Sequence, residues 1–321
     1  MSKKIMRTAV TILIFALLAV LFILPGCRQQ EVAGISENMI KLVDGEENTV
    51  ELIEPVKKVI VLAPSVLEII DALGAMEVVV EVDNYSITMN DPLVEGFEGA
   101  GDSYRPNVER IAELDPDILI TISGGSEDDY LKIKELGIEI YRTISVKGIE
   151  GIYDEITNIS KMLGLEERGE KINGEFKEGV DEIYSKVKDL NDDQRPRVFY
   201  VMGIEQLWSV GTDTFINDII EKSGGINIVA EDNLTGWPEY SVEKLIEKNP
   251  DIIIAPMMAD VDSSVITGDK RFSSINAVIS NRIYVVPDNP VSRPNQNVIK
   301  ALQMFSKAIH PEIFGEFEII E

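Results

Sequence analysis

Apolar positions in this chain follow two periods. Short continuous runs at Val59–Leu62, Val78–Val82, Ile138–Tyr141, Arg197–Met202 and Ile283–Val286 read as buried strands. Between them lie segments with helical character: Ser65 to Leu73, Asp128 to Leu136, Thr214 to Ser223 and Asn295 to Ile309. Strands alternating with helices predict parallel sheets with helices packed on their faces. Ahead of this pattern, Lys41–Leu52 carries Asp44-Gly45 between short alternating segments, a hairpin signal. The middle of the chain is purely helical. Ile149, Ile152, Ile156, Ile159 and Leu163 form one stripe, Gly164 interrupts, and Ile172, Phe176, Val180, Ile183, Val187 and Leu190 form a second. The second stripe predicts a helix from Glu166 to Leu190, about 37 Å long at ~1.5 Å per residue. Such a helix between two α/β halves is a candidate rigid strut.

One segment occurs twice. Asn107 to Ile120 reappears 134 positions later as Ser241 to Ile254, with seven of fourteen residues identical. Each copy opens on a residue suited to capping a helix, runs about two turns, breaks at Pro116-Asp117 or Pro250-Asp251, and ends in an apolar strand. Repetition of a helix–turn–strand unit implies two similar lobes. The expected architecture is α/β, with two Rossmann-like lobes, each around a mainly parallel sheet, joined by one long α-helix with a ligand cleft between them. The boundaries expected are residues 41–165 for the first lobe, 166–191 for the joining helix and 192–321 for the second.

Composition narrows the function. With 321 residues and 45% hydrophobic content, the chain can build two ordinary cores. A formal charge of −26 argues against nucleic acid as a partner and reads as a solvated acidic surface. The N-terminus places Lys3, Lys4 and Arg7 before the apolar run Ala9–Leu24, then Leu24-Pro25-Gly26-Cys27. The run is longer than the ~7–15 residues of a cleaved signal and shorter than the ~20 of a membrane span. Cys27 is the only cysteine, directly after that run, and the segment resembles a bacterial lipobox. Residues 1–26 are then a lipoprotein export signal and 27–40 a lipidated tether, holding an exported protein to the outer face of the cytoplasmic membrane.

Candidate chemistry is sparse. With Cys27 assigned to lipidation, no thiol remains for a disulfide, a nucleophile or a zinc site. The only histidine, His310, ends the last helix, where it suits the helix dipole, and no catalytic triad can be assembled around it. Ser123-Gly124-Gly125 is too short for a phosphate loop. The expectation is no catalytic residue, no metal site and no cofactor. What remains is a cleft at the carboxyl ends of the strands, where open α/β sheets bind ligands. Tyr85, Tyr104, Met202, Trp208, Trp237 and Met257 lie in or near those loops, and Arg105 and Arg293 supply charge. Such a lining suits a large, planar or greasy ligand with a few polar edges.

Several motifs, in order across about residues 40–312, carry a family resemblance. They are Val59-Ile-Val-Leu-Ala-Pro-Ser65 with Glu68-Ile-Ile-Asp-Ala-Leu-Gly74, Pro106-Asn-Val-Glu109, Asp115-Pro-Asp117, Gly211-Thr-Asp-Thr-Phe215, Ser223-Gly-Gly-Ile-Asn227 and Ser292-Arg-Pro294. Together they resemble the helical-backbone (class III) substrate-binding proteins of ABC importers for ferric siderophores, haem and cobalamin. The resemblance implies a monomer that binds a metal chelate and delivers it to a permease and its ATPase. It also implies that Glu109 and Glu243 dock on permease arginines. Trp237-Pro-Glu-Tyr-Ser-Val-Glu243 and Tyr85-Ser86 resemble the cobalamin binders, whereas the Val43-Asp-Gly hairpin is closer to the iron-complex branch. A ligand-sensing receptor domain of similar fold and an anchored hydrolase are the alternative readings.

Overall fold

The computed structural model describes residues 39–89, 91–257 and 263–320; the expected export signal, Cys27 and the tether to residue 38 lie outside the described residues. Strands β1 (Ile40–Val43) and β2 (Thr49–Leu52) form the antiparallel hairpin. Its turn is longer than a two-residue Asp-Gly turn. The Asp44 carboxylate instead gathers the amides of Glu46 at 2.9 Å and Asn48 at 2.8 Å. There follow β3 (Val59–Val61), β4 (Val79–Val82), β5 (Gly101–Asp102), β6 (Arg105–Pro106), β7 (Ile118–Thr121) and β8 (Glu139–Arg142). After the central helices come β9 (Arg197–Tyr200), β10 (Ile226–Asn227), β11 (Ile252–Pro256) and β12 (Ile283–Val286). Two four-stranded parallel sheets result, ordered β4-β3-β7-β8 and β10-β9-β11-β12. Counted within its own lobe, each sheet has the order second, first, third, fourth, so the lobes share one topology.

Strand alternation divides the core into three parts. Val59, Val61, Ile118 and Ile120 of the first sheet join Val198, Tyr200, Ile252 and Ile254 of the second in one continuous apolar layer. The residues between them face the other way. Ile60, Leu119 and Ile140 pack in a core private to the first lobe, and Phe199, Val201 and Ile253 in one private to the second. The shared layer is filled by helices 64–72, 149–163, 166–184, 215–222 and 298–309, whose buried stripes repeat every three or four residues. Helix Glu166–Tyr184 packs on helix 149–163 and also on helices 215–222 and 298–309, so it belongs to both halves rather than spanning free space. It is shorter than its apolar stripe predicts. Beyond Tyr184 the chain tightens into single turns, with the Val187 amide bonding Tyr184 O at 3.1 Å. Those turns keep Val187 buried at nearly helical spacing.

Polar contacts also cross between lobes. Glu68, on helix Pro64–Ala72, accepts from Arg293 Nη1 at 2.7 Å, Asn295 Nδ2 at 2.9 Å and Asn297 Nδ2 at 2.7 Å. Arg293 also pairs with Asp91 at 2.6 Å, and all three charged groups are largely buried. Helix Ile149–Leu163 begins after Gly148, which has no side chain to cap it. The cap is borrowed: Asp218, on helix Phe215–Lys222, accepts the Ile149 amide at 2.8 Å. Burial raises the Asp218 carboxyl above the ordinary aspartate range.

Glu155 is a buried acid against the shared layer. Its Oε2 accepts from Tyr141 at 3.0 Å and from the Ile144 amide at 3.1 Å, while Oε1 has no partner. Burial pushes its carboxyl up to about 7, against the opposing pull of these two donors. In the unfolded chain the group ionises first as pH rises, so the stability from the neutral buried acid is full below about 4.5 and lost as pH passes about 7. Melting temperature should therefore fall between pH 5 and 8 in calorimetry, and Glu155→Gln should flatten that slope, gaining on the order of 2–3 kcal/mol at pH 8. Glu68→Ala strands the Asn295 and Asn297 amides and leaves Arg293 to Asp91 alone, and should cost about 1–3 kcal/mol in denaturant unfolding.

Candidate ligand-binding cleft

In the first lobe, the strand ends open on a cavity of about 480 Å³ lined by Leu62, Pro64, Asp83, Tyr85, Asp102, Ser103, Tyr104, Arg105 and Ile122. Three expected residues, Tyr85, Tyr104 and Arg105, thus meet. Tyr85 stands on the short helix Asn84–Thr88, capped by Asp83, whose Oδ1 accepts the Ser86 amide at 2.7 Å. Tyr104 and Arg105 sit at the tip of β5–β6. There Asp102 Oδ1 accepts both their amides, at 2.9 and 3.0 Å. Gly101 has φ of +91°, and a Cβ there would lie 2.5 Å from Arg105 O, so only glycine closes this finger. Asp83 and Asp102 are therefore occupied in local turns. Among the described residues, the Arg105 guanidinium makes no ion pair or side-chain hydrogen bond, leaving it open to a ligand.

In the second lobe, the Met202 amide bonds Trp208 O at 2.8 Å, closing the loop after β9. Trp208 pairs across an antiparallel bridge with Glu239, two residues beyond Trp237. One short ribbon thus carries both tryptophans. Met257, at the end of β11, borders a different cavity of about 790 Å³, to which Asp91 and Leu93 of the first lobe and Pro287 and Asn289 of the second also contribute. The six expected apolar and aromatic residues are all 37% to 63% exposed, and what sets them apart from other exposed apolar side chains is their place in or near the loops at the strand ends. Sequence reading missed Met89, also exposed beside Tyr85, and Ser103 in the cavity wall.

Arg293 corrects the expectation that it faces the cleft. Its guanidinium is buried between Glu68 and Asp91, so its charge is already matched. His310 closes helix 298–309 as expected. Nε2 faces Gly224 O at 3.2 Å and Nδ1 faces Glu312 at 2.9 Å. Among the described residues, no group of three or more His, Cys, Asp or Glu is arranged to hold a metal ion, and no helix is long and apolar enough to cross a membrane.

The repeated segments match in detail. Helix Val108–Leu114 is capped by Asn107 through the Arg110 amide at 3.1 Å, and helix Val242–Lys248 by Ser241 through the Lys244 amide at 3.2 Å. Both end in a left-handed residue with φ of +47°, Asp115 and Asn249. In each, the base after the glutamate is drawn to an acid beneath it. Arg110 reaches Glu81 at 2.9 Å and Lys244 reaches Asp232 at 3.3 Å. Lys248 at 2.8 Å also bonds Asp232 and, above all its other partners, holds that carboxyl down near 2. Glu109 and Glu243 are left exposed, without an ion pair among the described residues.

Two topologically matched lobes on a shared helical layer, with apolar side chains exposed at their strand ends, define a small-molecule binding protein. The chain matches the family described as periplasmic binding protein over residues 59–290, and it belongs to that family. It is an extracytoplasmic binding protein of helical-backbone type, not an enzyme. It is 27% identical over 280 residues to the uncharacterised ABC transporter substrate-binding lipoprotein YvrC of Bacillus subtilis, covering 85% of this chain and 86% of that one. It is 24% identical over 272 residues to a cobalamin-binding protein of Halobacterium salinarum, covering 83% and 73%. Among solved structures, the periplasmic heme-binding protein RhuT of Roseiflexus sp. RS-1 superposes with a TM-score of 0.69 at 21% identity, covering 78% of this chain and 97% of that one.

Proposed function

We propose that this chain is the lipid-anchored substrate-binding protein of an ABC importer, capturing a large metal chelate between its lobes and delivering it to the permease. Cys27 is the lipidated residue in this reading. The carrying observation is the set of exposed aromatic and thioether side chains at the strand ends, Tyr85 and Tyr104 on one lobe and Met202, Trp208, Trp237 and Met257 on the other. They supply flat apolar area, with Arg105 for one anionic edge. The relatives that bind cobalamin and haem support a corrinoid, haem or ferric siderophore as the ligand class. The scarcity of unpaired cations among the described cleft residues favours a corrinoid or haem over a highly anionic siderophore.

Titration of detergent-solubilised protein with cyanocobalamin, haemin and ferrichrome tests this reading. One of them should quench tryptophan fluorescence saturably, with quenching reduced in Trp208→Phe and Trp237→Phe. No saturable response to any of the three would defeat it. Docking rests on Glu109 and Glu243. Glu109→Arg with Glu243→Arg should abolish uptake in cells while leaving ligand affinity within about twofold, since single exposed pairs contribute only ~0.2–1 kcal/mol and two must act together. A fall in ligand affinity instead would remove both residues from the docking role.

A further inference from the structure

We infer that Tyr130, a buried residue on helix Glu127–Glu135, is a positioning residue that sets the geometry of the Tyr104–Arg105 finger in the ligand cavity. This rests on the chelate-binding reading of the cleft and deepens it. The finger does not hold its place through its own strand pairing, which spans only Gly101–Pro106 and Asp102–Arg105. Asp102 shapes its tip through the Tyr104 and Arg105 amides, and the finger is held from behind at Ser103. The Tyr130 hydroxyl donates to the Ser103 carbonyl, and Ser103 Oγ donates to the Leu62 carbonyl at the end of β3. Because the Tyr130 proton is committed to Ser103, Thr121 Oγ1 donates to the Tyr130 oxygen at 2.8 Å. The Tyr130 ring is itself fixed by the Arg142 guanidinium, 4.8 Å from its centroid, and Arg142 is gripped by Glu46 and by Glu127 at 2.9 Å.

The glycine loop that makes no phosphate site finds its role here. A Cβ at Gly125 would lie 2.3 Å from Ser103 O and 3.1 Å from Tyr130 Cε2, and its φ is +98°. Gly125 thus lets loop 123–125 close over the back of Ser103, sealing the Tyr130 hydrogen bond from water. The consequence is that Tyr104 and Arg105 are presented in a fixed orientation before ligand arrives, so binding does not have to order them. Tyr130 does not line the cavity; its hydroxyl acts on the finger through Ser103.

The test uses the full chain and two variants. Tyr130→Phe deletes the hydroxyl and keeps the ring under Arg142. Gly125→Ala keeps the hydroxyl and displaces Ser103. In ligand-free protein, both should speed amide exchange at Tyr104 and Arg105 by tenfold or more, with the helix 149–163 amides unchanged as a check on global folding. With whichever of cyanocobalamin, haemin or ferrichrome binds the parent, both should raise the dissociation rate three- to tenfold with association unchanged. Added to a chain already carrying Tyr104→Ala and Arg105→Ala, Tyr130→Phe should have no further effect on dissociation. Unchanged exchange, or an undiminished effect in that background, overturns the inference. If the parent binds none of the three probes, the chelate reading has failed, and the exchange measurement alone decides whether Tyr130 positions the finger.

Discussion

The structure depends on one apolar layer that neither lobe owns. Odd-numbered residues of β3 and even-numbered residues of β7, β9 and β11 all point into it, together with helices from both halves. Burial on this scale follows from strand alternation: each sheet must cover two faces, and each covers one privately and one in common. Separating the lobes would expose the common face of both at roughly 25 cal/mol for every Å² of apolar surface. The protein is therefore a stiff frame, and its candidate cleft is carried on loops that leave strands locked along one face from end to end. Glu68 and Asp218 reinforce that frame with polar contacts across the same boundary.

A stiff frame suits a ligand caught on fixed aromatic edges. The two lobes share topology and even the left-handed ends of their repeated helices, yet their ligand-facing loops differ. The first lobe offers a cavity ringed by tyrosines and one free arginine, the second a ribbon with two tryptophans and flanking methionines. Symmetry thus lives in the scaffold and in the outward-facing glutamates, while asymmetry is confined to the cleft. The proposed docking and ligand roles divide along the same line, the first falling on the matched parts of the lobes and the second on the unlike ones.

The fold was legible because its signals are local. Helix caps, Pro-Asp breaks and apolar runs each occupy a few neighbouring residues, and a repeated string of them spells out the two-lobe plan. Tyr85, Tyr104 and the two tryptophans lie exposed in loops beside glycine, proline and strand ends, and that placement could be read from adjacent residues. Arg293 was misread because its partners Glu68 and Asp91 lie 225 and 202 positions earlier, a pairing with no trace in adjacent sequence. The length of helix 166–184 was misread because Val187 continues the apolar spacing in turns that are no longer α-helical. Ser103 and Tyr130 escaped notice because hydroxyl-to-carbonyl bonds demand nothing distinctive of the flanking residues.

The borrowed cap on helix 149–163 bears on how the chain is born. Domains ordinarily fold in the order they emerge during synthesis, N-terminal first. Here the first lobe emerges with its central helix uncapped and one sheet face bare, awaiting Asp218 and then helix 298–309. Folding can finish only when nearly the whole chain has arrived. Until then the emerging half presents apolar surface that only the rest of the chain can cover.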